Sequence, residues 1–197
     1  YLKNVVNNEY TIIFMMLISC IVSVGKNKGI DIKSIPDSQH FENITNNNIV
    51  VMGRKTFVAI NTNQSIPFST RLNIVITKNK ERYANEYIDH NNVIFCDFNE
   101  SIQLINKSNF SSECVIIGGE DIYSLFKGYI SKIYLTDIRV PDKYKIEYTK
   151  FFFDINNFFK ITEFSSINMH NDITYRYIVY EKLHTVTQLH DHTYSEL

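Results

Sequence analysis

The 197-residue chain contains no tryptophan, so none of its loops can offer an indole ring. Cysteine is scarce: Cys20, Cys96 and Cys114 stand far apart, with no CxxC pair and no disulfide framework. That excludes a disulfide-stapled secreted scaffold and points to a reducing compartment, so a cytoplasmic protein is expected. Charge of one sign is not in excess. Lys and Arg number 20 against 21 Asp and Glu, a formal net charge of −1. A chain this near neutral has no long-range field for a polyanion, which argues against a dedicated nucleic-acid binder. Long hydrophobic runs are missing too. The apolar stretch 10–24 has about 15 residues where a membrane span needs roughly 20, and Ser19 and Cys20 interrupt it. The single Lys3 ahead of it does not make the basic start of a leader. No membrane association is expected.

What is present fits one globular domain. Hydrophobic residues make up 44% of the chain, enough to bury a core and too many for wholesale disorder. Short runs rich in Val, Ile, Tyr and Phe recur at 17–24, 49–52, 73–77, 93–95, 115–117, 132–137, 158–165 and 175–182. Several are continuously apolar, as strands covered on both faces are. Segments with helical spacing lie between the early ones, at 38–45, 55–60, 99–105 and 120–126, with Asp37, Asn99 and Gly119 as candidate caps. The last two runs have no helix between them, and Asn171-Asp172 offers a turn. The expectation is an α/β fold: one mostly parallel central sheet of about eight strands, an antiparallel C-terminal edge hairpin, and helices on both faces. Met15-Met16 stands directly before the first run. Residues 1–14 are therefore expected to be an N-terminal extension, 15–183 the domain, and the polar 184–197 a tail or linker. His184, His190 and His192 sit in that tail without Cys or ordered carboxylate partners, so no metal site is expected.

Three local patterns carry chemistry. In Ile49-Val50-Val51-Met52-Gly53-Arg54-Lys55-Thr56-Phe57 a buried strand ends at glycine and a basic, hydroxyl-bearing turn opens a helix. Backbone N–H groups, Arg54, Lys55 and the Thr56 hydroxyl then converge where a phosphate could be held. A strand–turn–helix with solvated cations reads equally well from these residues alone. In Val115-Ile116-Ile117-Gly118-Gly119-Glu120-Asp121-Ile122-Tyr123 a strand runs into paired glycines, which let a backbone approach a ligand without a Cβ in the way. The GxGxxG dinucleotide fingerprint is absent. In Asn73-Ile74-Val75-Ile76-Thr77-Lys78-Asn79 a hydroxyl and an ammonium close a strand, at the end where open α/β sheets bind ligands.

Taken in order, "CIVSVGKNKGI", "IPDSQHFENIT", "IVVMGRKTF", "RLNIVITKN", "VIIGGEDIY", "IYLTDI" and "YRYIVYEK" resemble dihydrofolate reductase, over about residues 17 to 182. The resemblance implies NADPH as cofactor, dihydrofolate as substrate, and hydride delivery to an imine carbon with a proton to the adjacent nitrogen. It implies Asp37 as the acid that holds the pterin amino group and ring nitrogen, and Thr136 as the residue that orients it. It puts Ile21, Val22, Phe41, Ile60, Phe68 and Ile117 around the substrate, and Arg71 on the carboxylate of its glutamate tail. Gly53, Arg54, Lys55, Thr56, Thr77 and Lys78 fall on cofactor-phosphate positions, and Gly118, Gly119, Ile122 and Tyr123 around the nicotinamide and pyrophosphate. The tail "HDHTYSEL" suggests a following thymidylate synthase domain, as in bifunctional reductase–synthase chains.

The match departs from the family in three places. Between Gly29-Ile30 and Pro36 only five residues remain where the family has a longer loop with a Pro-Trp pair. Tyr148-Thr149 stands where an acidic residue and Thr are usual, and Phe153 stands where proline is usual. A short lid weakens the exclusion of water from hydride transfer. Two alternatives to the reductase reading follow. One is a reductase-fold domain that binds nucleotide or partners and catalyses little. The other is a pyrimidine reductase of riboflavin synthesis, against which Arg71 argues because that substrate has no glutamate tail.

Overall fold

The computed structural model describes residues 2–6, 9–13, 16–30, 38–60, 68–155 and 158–183. The segment read as an N-terminal extension contains two strands, β1 (Leu2–Val6) and β2 (Glu9–Ile13), which pair antiparallel with each other and with no other described strand. The main sheet is built from β3 (Leu17–Val24), β4 (Ile49–Gly53), β5 (Leu72–Ile76), β6 (Val93–Cys96), β7 (Glu113–Gly118), β8 (Lys132–Arg139), β9 (Phe159–Phe164), β10 (Asn168–His170) and β11 (Ile173–Lys182). Its order is β10-β11-β8-β3-β7-β4-β5-β6. The strands from β8 to β6 run parallel, and β11 is antiparallel to β8. β9 and β10 pair with opposite ends of β11 on the same side, so nine strands fill the expected eight positions. The turn at Asn171-Asp172 therefore joins β10 to β11, and β9 reaches β11 from further back in the chain.

The apolar runs form strands because both faces are covered. Along β4, Ile49 and Val51 enter one core while Val50 and Met52 enter the other. The same alternation divides Cys114 and Ile116 from Val115 and Ile117 on β7, and Ile74 from Val75 on β5. Helices α4 (Phe98–Lys107) and α5 (Glu120–Phe126) supply Ile105, Ile122 and Phe126 to the first core. Helices α1 (Ser38–Thr45), α2 (Arg54–Ile60) and α3 (Lys80–Glu86) supply Phe41, Phe57 and Tyr83 to the second. The three cysteines are buried in or beside this sheet and free, as their apolar surroundings suggested.

Two local readings need correction. Helix α3 was absent from the periodicity because only Tyr83 among its residues packs inward. Helix α4 is capped by Asp97 and not by Asn99. The Asp97 carboxylate accepts from the Glu100 amide at 2.9 Å, and Glu100 accepts from the Asp97 amide at 3.0 Å, a reciprocal box that starts the helix one residue before Asn99.

Candidate active site

Because β3, β7, β4 and β5 are parallel neighbours, their C-terminal ends share one rim of the sheet. That topology alone brings the three chemical patterns together. Gly53 ends β4, Thr77 follows β5, and Gly118-Gly119 closes β7. The glycines are fitted to one another. A Cβ on Gly53 would lie 3.0 Å from Ile122 Cγ1, and one on Gly118, whose φ is +103°, would lie 2.9 Å from the Tyr123 ring. A cis peptide joins Gly118 to Gly119. Above Gly119 the space is open. An added Cβ would have a single near neighbour, Thr56 Oγ1, at 3.6 Å. A bare backbone beside a hydroxyl, with partly exposed Arg54 and exposed Lys55 next in sequence and exposed Lys78 one strand over, is a donor set suited to a polyanionic cofactor. Thr77 Oγ1 accepts from the Asn79 amide at 3.2 Å, which shapes the turn carrying Lys78.

Ile122 and Tyr123 lie behind this rim and are buried. Tyr123 donates its hydroxyl to the Ile21 carbonyl at 2.8 Å, and its ring meets Phe152 edge-on at 5.1 Å. Burial, with Cys20 adding to it, raises the Tyr123 hydroxyl well above the ordinary tyrosine range, so the phenol stays a donor.

On the other side of β3, Ile21, Ile117, Phe41 and Phe68 belong to one apolar cluster. Val22 points into the opposite core, and Ile60 ends α2 with its side chain exposed. Phe68, at φ 62°, turns its ring toward Phe41 at 5.4 Å. Arg71 lies against both rings, its guanidinium carbon 4.4 Å from the Phe68 centroid and 5.8 Å from that of Phe41. It is 6% exposed, and its Nε has no hydrogen-bond partner among the described residues. Burial lowers its pKa and nearby Glu42 opposes the shift. A buried guanidinium with an unused donor is prepared for a carboxylate.

Asn73 and Asn92 hold this turn, and sequence reasoning missed them. Asn73 Nδ2 donates to the carbonyls of Phe68, Arg71 and Asn92, and Asn92 Nδ2 donates to that of Arg71. The available signal was a fully buried amide at the start of an otherwise apolar strand.

Thr136 is fully buried in β8, in register with Ser23 of β3 and Tyr177 of β11. His40, in the first turn of α1, stacks on Tyr177 with centroids 3.7 Å apart. The start of α1 therefore lies over the Thr136 pair. Asp37 and the short loop 31–35 lie outside the described residues. Just before that loop, Gly29 is packed so closely that an added Cβ would fall within 2.5 Å of Tyr148 side-chain atoms. The Ile30 amide donates to the Lys150 carbonyl and the Phe152 amide to the Lys28 carbonyl, which ties the chain just before that loop to the segment between the Tyr148-Thr149 and Phe153 departures.

The family model for dihydrofolate reductase matches residues 11–182. The bifunctional dihydrofolate reductase-thymidylate synthase of Paramecium tetraurelia is 30% identical over 173 residues, 87% of this chain and 34% of the relative. That of Plasmodium chabaudi is 35% identical over 140 residues, 68% of this chain and 23% of the relative. The dihydrofolate reductase of Buchnera aphidicola is 33% identical over 142 residues, 68% of this chain and 81% of the relative. The chain belongs to the dihydrofolate reductase family. It spans about a third or a quarter of the length of these bifunctional relatives and most of the length of the Buchnera reductase.

Proposed function

We propose that the chain reduces dihydrofolate to tetrahydrofolate with NADPH. NADPH, when bound, supplies the hydride that reaches the imine carbon of the pterin. The chain's residues position and protonate. Asp37, immediately before α1, accepts two parallel N–H bonds from the pterin amino group and ring nitrogen, which favours protonation at the adjacent nitrogen. Thr136 orients that carboxylate, a role supported by the His40–Tyr177 stack that holds the first turn of α1 over it. Ile21, Ile117, Phe41 and Phe68 form the apolar wall, with Ile60 at its margin, and Val22 reaches it only through its backbone because its side chain enters the opposite core. Arg54, Lys55, Thr56, Thr77 and Lys78 meet the cofactor phosphates, and the Gly53 and Gly118-Gly119 backbones admit its chain, backed by Ile122 and Tyr123.

The observation that carries this reading is Arg71. A guanidinium clamped by two aromatic rings and left with a buried unused donor matches the carboxylate of a glutamate tail. A tail-less pyrimidine substrate lacks that carboxylate. The test follows loss of NADPH absorbance with dihydrofolate present. Wild type is expected to turn over, and Asp37→Asn to lose about 100-fold or more in kcat. Absence of any folate-dependent rate would overturn the assignment. The names of the bifunctional relatives support a thymidylate synthase domain as partner. Free, buried cysteines support a cytoplasmic setting. Among the described residues, no helix is long and apolar enough to cross a membrane.

A further inference from the structure

The turn that carries Arg71 is held from outside its own strand. Residues 68–71 close on themselves through one backbone bond, from the Arg71 amide to the Phe68 carbonyl at 3.0 Å. Phe68 opens the turn at φ 62°, a conformation that a bulky side chain rarely keeps without support. Its ring lies 4.4 Å from the Arg71 guanidinium carbon, so the same backbone that is strained also orients the arginine. Support comes from Asn92, 21 residues beyond Arg71, on the loop between α3 and β6. Its side-chain amide shares its N–H groups among the carbonyls of Arg71 at 3.2 Å, Ser69 at 3.4 Å and Phe68 at 3.5 Å. Asn92 is itself fixed by β5, because its carbonyl accepts from the Asn73 amide at 2.8 Å and from the Asn73 side chain at 3.2 Å.

Asn73 shares the task from within β5, where it is fully buried. Asn92 is half-buried and belongs to no strand or helix, so its amide serves the turn and not the core. We propose that Asn92 is a positioning residue for Arg71, and through it a determinant of selectivity for substrates that end in a carboxylate. This rests on the reading of Arg71 as the residue that takes the glutamate-tail carboxylate. A guanidinium fork pairs with a carboxylate only in the right plane, and a misplacement of about 1 Å can cost up to about 100-fold. Without the Asn92 donors, the carbonyls of the turn lose partners and Phe68 relaxes toward negative φ. The fork then loses the ring that orients it, while Ile21 and Ile117 stay in place for the pterin.

Two ligands test this on the full chain: dihydrofolate and its tail-less counterpart dihydropteroate. Steady-state KM and kcat are measured for both, and calorimetric Kd values read the same ratio independently of turnover. Asn92→Leu keeps the approximate shape of the side chain and removes its donors. It is expected to raise KM and Kd for dihydrofolate about fivefold or more at unchanged kcat, and to change those for dihydropteroate less than about twofold. Asn92→Ser keeps one donor and should fall between wild type and Asn92→Leu, which also serves if the leucine variant does not fold. Arg71→Lys is expected to show the same selective loss. Adding Asn92→Leu to it should cost nothing further, because the second change acts through a fork already gone. Equal losses for the two ligands, or additive losses in the double variant, overturn the proposal. If Arg71→Lys is selective and the Asn92 variants are not, the proposal alone falls. If Arg71→Lys is not selective either, the tail-carboxylate reading of Arg71 falls with it.

Discussion

Arg71, just before β5, and Tyr123, behind the rim, show how single side chains are committed around the site. Arg71→Lys keeps the charge but loses the planar fork, so KM for dihydrofolate is expected to rise about tenfold with kcat little changed. A pterin substrate without the glutamate tail should show no difference between the two proteins, which makes the pair of substrates the decisive assay. Tyr123→Phe leaves the buried Ile21 carbonyl without its donor and should cost about 1–2 kcal/mol, read as a lower midpoint in urea. Gly118→Ala meets both a positive φ and the Tyr123 ring, and should cost more than the Tyr123 change in the same assay. At this scale the gathering of glycines, cations and hydroxyls at one rim was legible because they stand at strand ends in fixed order. Asn73 was not, because an amide within an apolar run looks like an interruption until its three acceptors are seen.

Among the elements, α4 has a start written in local chemistry. Asp97→Ala removes one half of the reciprocal cap and should cost about 1 kcal/mol in thermal or chemical unfolding. Glu100 is held below its ordinary range, first by the Lys80 side chain and then by the Asp97 amide. A depressed folded value means that its contribution is complete above the unfolded pKa of about 4.3 and disappears as pH falls through the lower folded value. Far-ultraviolet dichroism during acid titration should show Glu100→Gln lacking that step. Strands β3 to β8 were legible from their β-branched runs. Helix α3 and strand β10 were not, since one carries a single inward aromatic and the other has three residues against one end of β11.

Across the whole molecule, the alternation of strand and helix announced a parallel sheet with two covered faces, and hydrophobic composition alone sufficed to expect a core. Burial raises the thiols of Cys20, Cys96 and Cys114, with Cys96 pushed up to about 12. Unfolded thiols ionise near 8.5, so stability should be level below that pH and fall as pH rises toward 12. Urea midpoints measured at neutral pH and near pH 10 should differ in that direction, and Cys96→Ala should lessen the difference while Cys20 and Cys114 keep the rest. A last consequence concerns β4. Its first four residues, Ile49 to Met52, are so alike that either core would accept the other's share. The strand is addressed at its ends. The Ile49 amide reaches Ser111 Oγ at one, and Gly53 fits beneath Ile122 at the other, where no bulkier neighbour could slide in. An inserted residue anywhere between them would leave the interior oily and filled, yet deliver Arg54 and Thr56 to the wrong place. Misalignment would announce itself as lost ligand affinity before it appeared as lost stability.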